Sequence, residues 1–258
     1  MNPTALDQFR LIGRTALVTG ASGGIGHAIA RALCEAGAKV YLGSRSESRL
    51  ENAMSGWNFE AGSAEPWIVD LLDKRACENG IAKIMGETGS VDILVNCAGV
   101  ITRGSIDEQD SACWNDVLGA NLSAPYRLCR AVAPAMRSMG WGRILNIGSV
   151  LSVEGKRNAL PYIVSKHGIA GLTRALAAEL GPDKICVNAL CPGYVRTDIN
   201  TALQQDPEFN ARIESSTPCG RWGTVEDIVG PALFLCSDAA AYVNGHLLLV
   251  DGGMTATH

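Results

Sequence analysis

The sequence of 258 residues has no apolar run close to the roughly 18 residues that span a bilayer, so a helical membrane anchor is not expected. It has no basic excess: 22 lysines and arginines stand against 26 acidic residues, for a formal net charge of −4. Without a basic run or a polybasic stretch, neither nucleic acid nor an anionic membrane surface is an expected partner. The first thirteen residues carry Asp7, Gln8 and Arg10 and lack the apolar centre of a secretory signal. Glycine (29) and proline (10) are close to average usage, which excludes collagen-like and low-complexity chains. The nine cysteines include no CxxC pair and no Cys/His ligand spacing, so no metal site is expected. Their odd number and wide spacing exclude a disulfide framework. Most lie in apolar contexts such as Leu33-Cys34 and Leu235-Cys236, and read as small buried hydrophobes in a reducing, cytoplasmic compartment.

What remains is a chain with 47% hydrophobic residues, enough for a large core, in which short β-rich runs alternate with helical periods. Strands are predicted over 15–19, 39–42, 67–69, 91–95, 143–147, 185–190 and 247–250. Helices are predicted over 25–36, 47–56, 73–86, 108–119, 122–138, 162–180 and 224–236, with Gly37 and Gly181-Pro182 as stops. Strands separated by helices of this length imply βαβ crossovers. The expected fold is α/β: a Rossmann-like, doubly wound, seven-stranded, mainly parallel sheet with helices on both faces, forming one domain over 1–258. No internal repeat or linker interrupts it. Residues 192–223, rich in Pro, Thr, Asn and Gln, show no clear period and read as a loop over a site.

The first strand runs straight into Thr19-Gly20-Ala21-Ser22-Gly23-Gly24-Ile25-Gly26. Glycines let a backbone turn tightly and approach a pyrophosphate, while the helix that follows offers unpaired N–H groups and the positive end of its dipole. The spacing is G-x3-G-x-G, not G-x-G-x-x-G, and a plain tight turn is the alternative. Its place after the first strand of a repeating βα pattern favours a nucleotide. Asn96-Cys97-Ala98-Gly99 follows the fourth strand, which in a doubly wound sheet flanks the switch point where ligands bind. Asp70, after the third strand, reads either as an adenine partner or as a helix cap. Asp73 is the better cap.

Tyr162 and Lys166 lie four residues apart, on one face of a predicted helix. A free phenol, with a pKa of about 10, is a poor acid or base near neutrality, and a neighbouring cation favours its phenolate. Ser149, at the end of the fifth strand, brings a hydroxyl to the same mouth of the sheet. Singly, each has a plain alternative: a surface helix pair for Tyr162 and Lys166, a turn former for Ser149.

Together these residues resemble the short-chain dehydrogenase/reductase family from Gly13 to Asp251-Gly252-Gly253. The motifs are Thr19-Gly20-x3-Gly24-Ile25-Gly26, Asp70-Leu71, Asn96-x-Ala98-Gly99, Asn121, Ser149, Tyr162-x3-Lys166, and Pro192-Gly193 with Thr197. Cys97 departs from the pattern, where the family commonly has a second Asn. The resemblance implies that Tyr162 exchanges a proton with the substrate oxygen, which Ser149 orients. It implies that Lys166 holds the nicotinamide ribose and favours the Tyr162 phenolate, and that Asn121 holds a relay water. Hydride passes between a substrate carbon and the nicotinamide. The implied cofactor contacts are Gly20, Ser22, Gly24, Ile25, Gly26, Ser44, Arg45, Asp70, Leu71, Asn96, Ala98, Gly99, Tyr162, Lys166, Pro192, Gly193, Val195 and Thr197. A nucleotide-binding module without catalysis would show eroded catalytic positions, and all four are present.

An acidic residue about 20 positions past the glycines would hold a ribose 2′-OH and repel a 2′-phosphate. That position is Ser44, followed by Arg45, which resembles NADP-preferring members and leaves NAD possible. The alternative is a solvated Arg45 paired with Glu47. Gly23 stands where many NADP-dependent relatives carry Arg. Residues 98–103, 217–223 and 243–246 look most like the gluconate 5-dehydrogenase and sugar-acid branch, with carrier-protein or broad ketone and polyol reductases as the runner-up. Arg103 would pair with a substrate carboxylate, and Lys156 and Arg157 would add positive potential at the rim. Solvated loop charges are the alternative for all three. Arg221 reads as structural. The resemblance also implies a homotetramer in which the Tyr162 helix packs against its copy, as do the last helix and strand. Small or apolar residues at Gly168, Ala170, Gly171, Ala175 and Ala178 would allow close approach, and the alternative is that these face the chain's own sheet, as some of them must.

Overall fold

A computed structural model describes residues 4–257, and the side chain of Ile199 is left out. The outermost ends of the predicted 1–258 domain, and the start of the segment read for a signal, therefore lie outside the described residues. Seven runs of aliphatic residues form one sheet: β1 (Thr15–Thr19), β2 (Lys39–Ser44), β3 (Ser63–Ile68), β4 (Ile93–Asn96), β5 (Gly142–Ile147), β6 (Ile185–Pro192) and β7 (Leu247–Val250). Their order is β3-β2-β1-β4-β5-β6-β7. Every neighbouring pair is parallel, so the sheet expected to be mainly parallel is wholly so. β1, β4, β5 and β6 are buried along their whole lengths, which is why they read as unbroken apolar runs.

β3 begins four residues before the predicted 67–69. It is an edge strand, mostly exposed, and Pro66 within it is tolerated because β3 pairs on one side only. Its polar first half gives no hydropathy signal.

The helices are α1 (Gly24–Glu35), α2 (Glu47–Met54), α3 (Lys74–Thr88), α4 (Ser111–Leu118), α5 (Ala124–Met139), α6 (Leu160–Leu180), α7 (Thr201–Gln204), α8 (Pro207–Ser216) and α9 (Val225–Cys236). On one face, Ile29 and Leu33 of α1 and Ile228 and Leu235 of α9 pack on the sheet. On the other, Ile81 and Ile84 of α3 meet Leu128, Val132 and Met136 of α5. Asp73 caps α3 by accepting from the Ala76 N–H at 2.9 Å. Asp70 instead closes a small turn to the Leu72 N–H and stays exposed, which leaves it free for a ligand.

The stretch read as a loop, 192–223, contains α7 and α8. α8 buries only Ile213, so no apolar period marks it. Its signal was a cap: Asp206 accepts from the N–H groups of Glu208 and Phe209, and Pro207 opens the helix. Tyr194, Phe209 and Trp222 meet there at centroid separations of 5.5–6.1 Å.

Among the described residues, no helix is long and apolar enough to cross a membrane, and no group of three or more His, Cys, Asp or Glu is placed to hold a metal ion. All nine cysteines are free; six are buried, Cys97 and Cys113 are partly buried, and Cys219 is exposed.

Candidate active site

In a parallel sheet the carboxyl ends of the strands open on one edge. The strand order reverses at β1 and β4, so the turns that follow them meet in a crevice. Gly20 has φ +67°, and a Cβ there would lie 2.8 Å from the Ala98 Cα. The Thr19 hydroxyl ties the two turns by accepting from the N–H groups of Cys97 (3.0 Å) and Ala98 (3.1 Å). A Cβ on Gly26 would lie 2.4 Å from the Gly20 oxygen, so α1 can start this close to β1 only without a side chain at that position. Gly23, the residue before α1, has no side chain to cap the first N–H groups of the helix. Those donors are left facing the turn, a fitting seat for a pyrophosphate.

The end of β2 joins the same turn. The Ser44 hydroxyl donates to that of Ser22 at 3.1 Å, and the Ser46 N–H donates to Ser44 Oγ. Arg45 is exposed and, among the described residues, makes no ion pair with Glu47. A Cβ on Gly24 would meet Thr197 Cγ2 at 3.4 Å, which brings the segment after β6 over the glycines. Thr197 is held from α7, whose Gln204 amide donates to its carbonyl, and Asn200 accepts from its N–H. Gly193 is pressed on Asp251, where a Cβ would lie 2.8 Å from the Asp251 Cα. The Val195 side chain is buried, so any contact it makes with a cofactor is through its main chain. Leu71 accepts from Arg127 Nη2 through its carbonyl at 2.7 Å.

The Asn96 side chain is turned into the sheet. Its amide is buried and donates to Asn146 Oδ1 at 2.8 Å, and Asn146 donates in turn to the Thr173 hydroxyl. The side chain therefore ties β4 and β5 to α6, and any contact Asn96 makes with a cofactor is through its main chain.

Asn121 sits in one turn of π-helix, Gly119–Ser123, between α4 and α5. Such turns interrupt α-helices at functional sites and re-aim a side chain. Its amide accepts from the Val100 N–H at 2.8 Å, donates to the Val100 carbonyl at 2.9 Å, and donates to Ser165 Oγ at 3.1 Å. Ser165 donates to the Tyr162 carbonyl. Lys166 is 5% exposed, and its ammonium donates to the Ile147 carbonyl at 2.7 Å, 5.5 Å from the centre of the Tyr162 ring. A Cβ on Gly99 would lie 3.2 Å from Asn121 Oδ1 and 3.9 Å from Lys166 Nζ, so the loop after β4, the π turn and α6 converge there. The Ser149 hydroxyl accepts from the Leu151 N–H, which leaves its own proton to donate. Burial pushes the Cys97 thiol up to about 12 despite the Lys166 charge, so it stays neutral beside the site.

Arg103 is exposed and makes no ion pair among the described residues. Its loop docks on the segment between Ser149 and Tyr162 through the Gly104 N–H, which donates to the Asn158 carbonyl. Lys156, on that segment, contacts the Tyr194 hydroxyl and lies 4.8 Å from the Tyr194 ring centre and 5.8 Å from that of Phe209. It pins the segment to the region of α7 and α8 instead of standing free at the rim. Arg221 forms a fork on Asp227 at 2.7 and 2.9 Å and holds that carboxyl well below its usual range, which is the structural role expected.

Sequence reasoning did not single out Ser165, Asn146, Thr173, Asn200 or Gln204. Ser165 had a signal, since it lies between Tyr162 and Lys166. The others are brought in by tertiary contacts.

The family described as enoyl-(acyl carrier protein) reductase matches residues 20–255. Gluconate 5-dehydrogenase of Gluconobacter oxydans (strain 621H) is 39% identical over 251 residues, covering 97% of this chain and 98% of that protein. The 2-dehydro-3-deoxy-D-gluconate 5-dehydrogenase of Bacillus subtilis (strain 168) is 39% identical, covering 96% of each. A solved structure of a gluconate 5-dehydrogenase from Burkholderia cenocepacia J2315, in complex with NADP and tartrate, is 37% identical with a TM-score of 0.91, covering 98% of this chain and 99% of that one.

Proposed function

Because the chain belongs to the short-chain dehydrogenase/reductase family and is an NAD(P)-dependent oxidoreductase, we propose that it interconverts a secondary alcohol and a ketone on a sugar acid of the gluconate/5-ketogluconate kind, with NADP(H) preferred. When bound, the nicotinamide supplies or accepts the hydride. Tyr162 gives a proton to the substrate oxygen or takes one from it, and the Ser149 hydroxyl donates to the same oxygen. Lys166, fixed by the Ile147 carbonyl, keeps positive charge beside the Tyr162 ring and offers its remaining N–H groups to a ribose. Asn121 has committed both amide hydrogens, so a relay water there would bond to its Oδ1 or main chain.

The observation that carries the sugar-acid reading is Arg103, an exposed guanidinium on the loop after β4 without a carboxylate partner among the described residues. A planar guanidinium matches a carboxylate with two parallel bonds. Relatives named for gluconate, one of them holding tartrate, support an acid substrate. The test is the ratio of kcat/KM between a sugar acid and a neutral polyol or ketone of similar size. In Arg103→Ala this ratio falls by about thirtyfold or more, the range for losing one partner of a hydrogen-bonded charge pair. Arg103→Lys recovers part of the loss, because an ammonium lacks the planar fork. An unchanged ratio removes Arg103 from substrate binding. Faster reduction of a 3-oxoacyl thioester than of 5-ketogluconate would move the reading to the carrier-protein class.

We also infer a homotetramer in a cytoplasmic setting. On α6, Gly171, Ala175 and Ala178 are exposed and allow close approach of a second copy. Ala170 is buried, and Gly168 is pressed on Leu122, so these two serve the chain's own packing. Tyr242 and Leu249, near the last strand, are exposed. Sedimentation at micromolar concentration should give a tetramer, and a stable monomer would overturn the assembly.

A further inference from the structure

We propose that Arg49 on α2 is a second cation for the 2′-phosphate of NADP(H), reaching the glycine turn from outside it. This rests on the NADP reading above. Gly23 leaves a gap in the turn: among the described residues, and apart from its chain neighbours, a Cβ built there has only two heavy atoms within 4 Å, Arg49 Nη2 at 3.7 Å and Asp198 Oδ2 at 3.9 Å. The Arg49 guanidinium thus lies beside the point from which a basic side chain on the turn itself would project.

Arg49 is set in place by its main chain. It lies in the first turn of α2, where its N–H donates to the capping Ser46 hydroxyl at 3.3 Å. Its side chain is exposed and makes no ion pair among the described residues. The Ser44–Ser22 hydroxyl bond joins the end of β2 to the turn, Arg49 approaches the turn at the next residue, Gly23, and Arg45 directly follows Ser44. β2 ends there without a carboxylate to repel a phosphate. A guanidinium beside these hydroxyls suits a phosphate dianion, against which the Asp198 carboxylate near Gly23 counts. Asp198 approaches the same point without pairing with Arg49, which makes an Arg49–Asp198 tie the competing role.

The test uses two fragments that carry no nicotinamide, 2′,5′-ADP and 5′-ADP, titrated into the full chain by calorimetry. The wild type binds 2′,5′-ADP more tightly. In Arg49→Ala the affinity for 2′,5′-ADP falls by about tenfold to a hundredfold, as expected for losing a hydrogen bond to a charged group, while that for 5′-ADP barely changes. Adding Gly23→Arg to Arg49→Ala restores the preference, because residue 23 is extended (φ 175°) and its Cβ meets no backbone. Equal loss for both fragments would mean that Arg49 only holds the turn or Asp198, and overturns the proposal. A wild-type preference that survives intact in Arg49→Ala overturns it while sparing the NADP reading. A wild type with no preference overturns the NADP reading, and the role of Arg49 with it.

Discussion

Replacing Tyr162 with phenylalanine is expected to lower kcat by about a hundredfold or more, the typical contribution of a positioned general acid or base. The substitution removes one oxygen and its proton and keeps the ring. Lys166 keeps its bond to the Ile147 carbonyl, and the Ser165 bond to the main chain of residue 162 is untouched, so α6 and the ribose seat stay in place. Dinucleotide affinity, read by fluorescence titration, therefore changes little while turnover collapses. Near-normal turnover would remove Tyr162 from proton transfer. Equal losses in affinity and turnover would show instead that the hydroxyl positions the cofactor.

Gly26→Ala is expected to damage both stability and cofactor binding. The backbone of Gly26 is ordinary helix, so conformation does not demand glycine. Space does, because the added methyl would lie 2.4 Å from the Gly20 oxygen and 2.9 Å from its carbonyl carbon. Both are main-chain atoms at the end of β1 and cannot rotate away. Either α1 lifts from the sheet or the turn distorts. Overpacking costs about 1–3 kcal/mol, and more where backbone must move. For a chain of this size, Tm falls by about 2–4 °C per kcal/mol. Gly86→Ala is the contrasting variant: it lies in α3 with nothing within 4 Å of a new Cβ, so its Tm rises slightly. If Gly26→Ala melts with the wild type and binds NADP(H) as well, the close seat of α1 on the turn has no energetic role.

The strands that could be read from the sequence are those the helices cover. β1, β4, β5 and β6 are buried on both faces, and their aliphatic runs announce them. The first half of β3 could not be read in the same way, because an exposed edge strand need not be apolar. α8 was hidden for a similar reason, since one buried residue, Ile213, makes no period. In the site, Tyr162 and Lys166 could be paired on paper because a helix fixes the geometry of residues four apart. Arg49 could not, since its nearness to Gly23 arises only when α2 folds back beside α1. Asn96 stood in a recognisable motif, yet the direction of its amide depends on Asn146, fifty residues later.

The wholly parallel sheet also sets how this chain acquires its structure. No two neighbouring strands can be joined by a hairpin, so every pairing waits for a crossover. The central pair is the most demanding, with Ala16 of β1 opposite Ile93 of β4. During synthesis β1 can complete only its β2 side until β4 has emerged, and its other edge stays unpaired meanwhile. High contact order of this kind slows folding, and open strand edges favour association between incomplete chains. The yield of native protein should therefore fall with temperature and expression rate sooner than native-state stability alone would suggest.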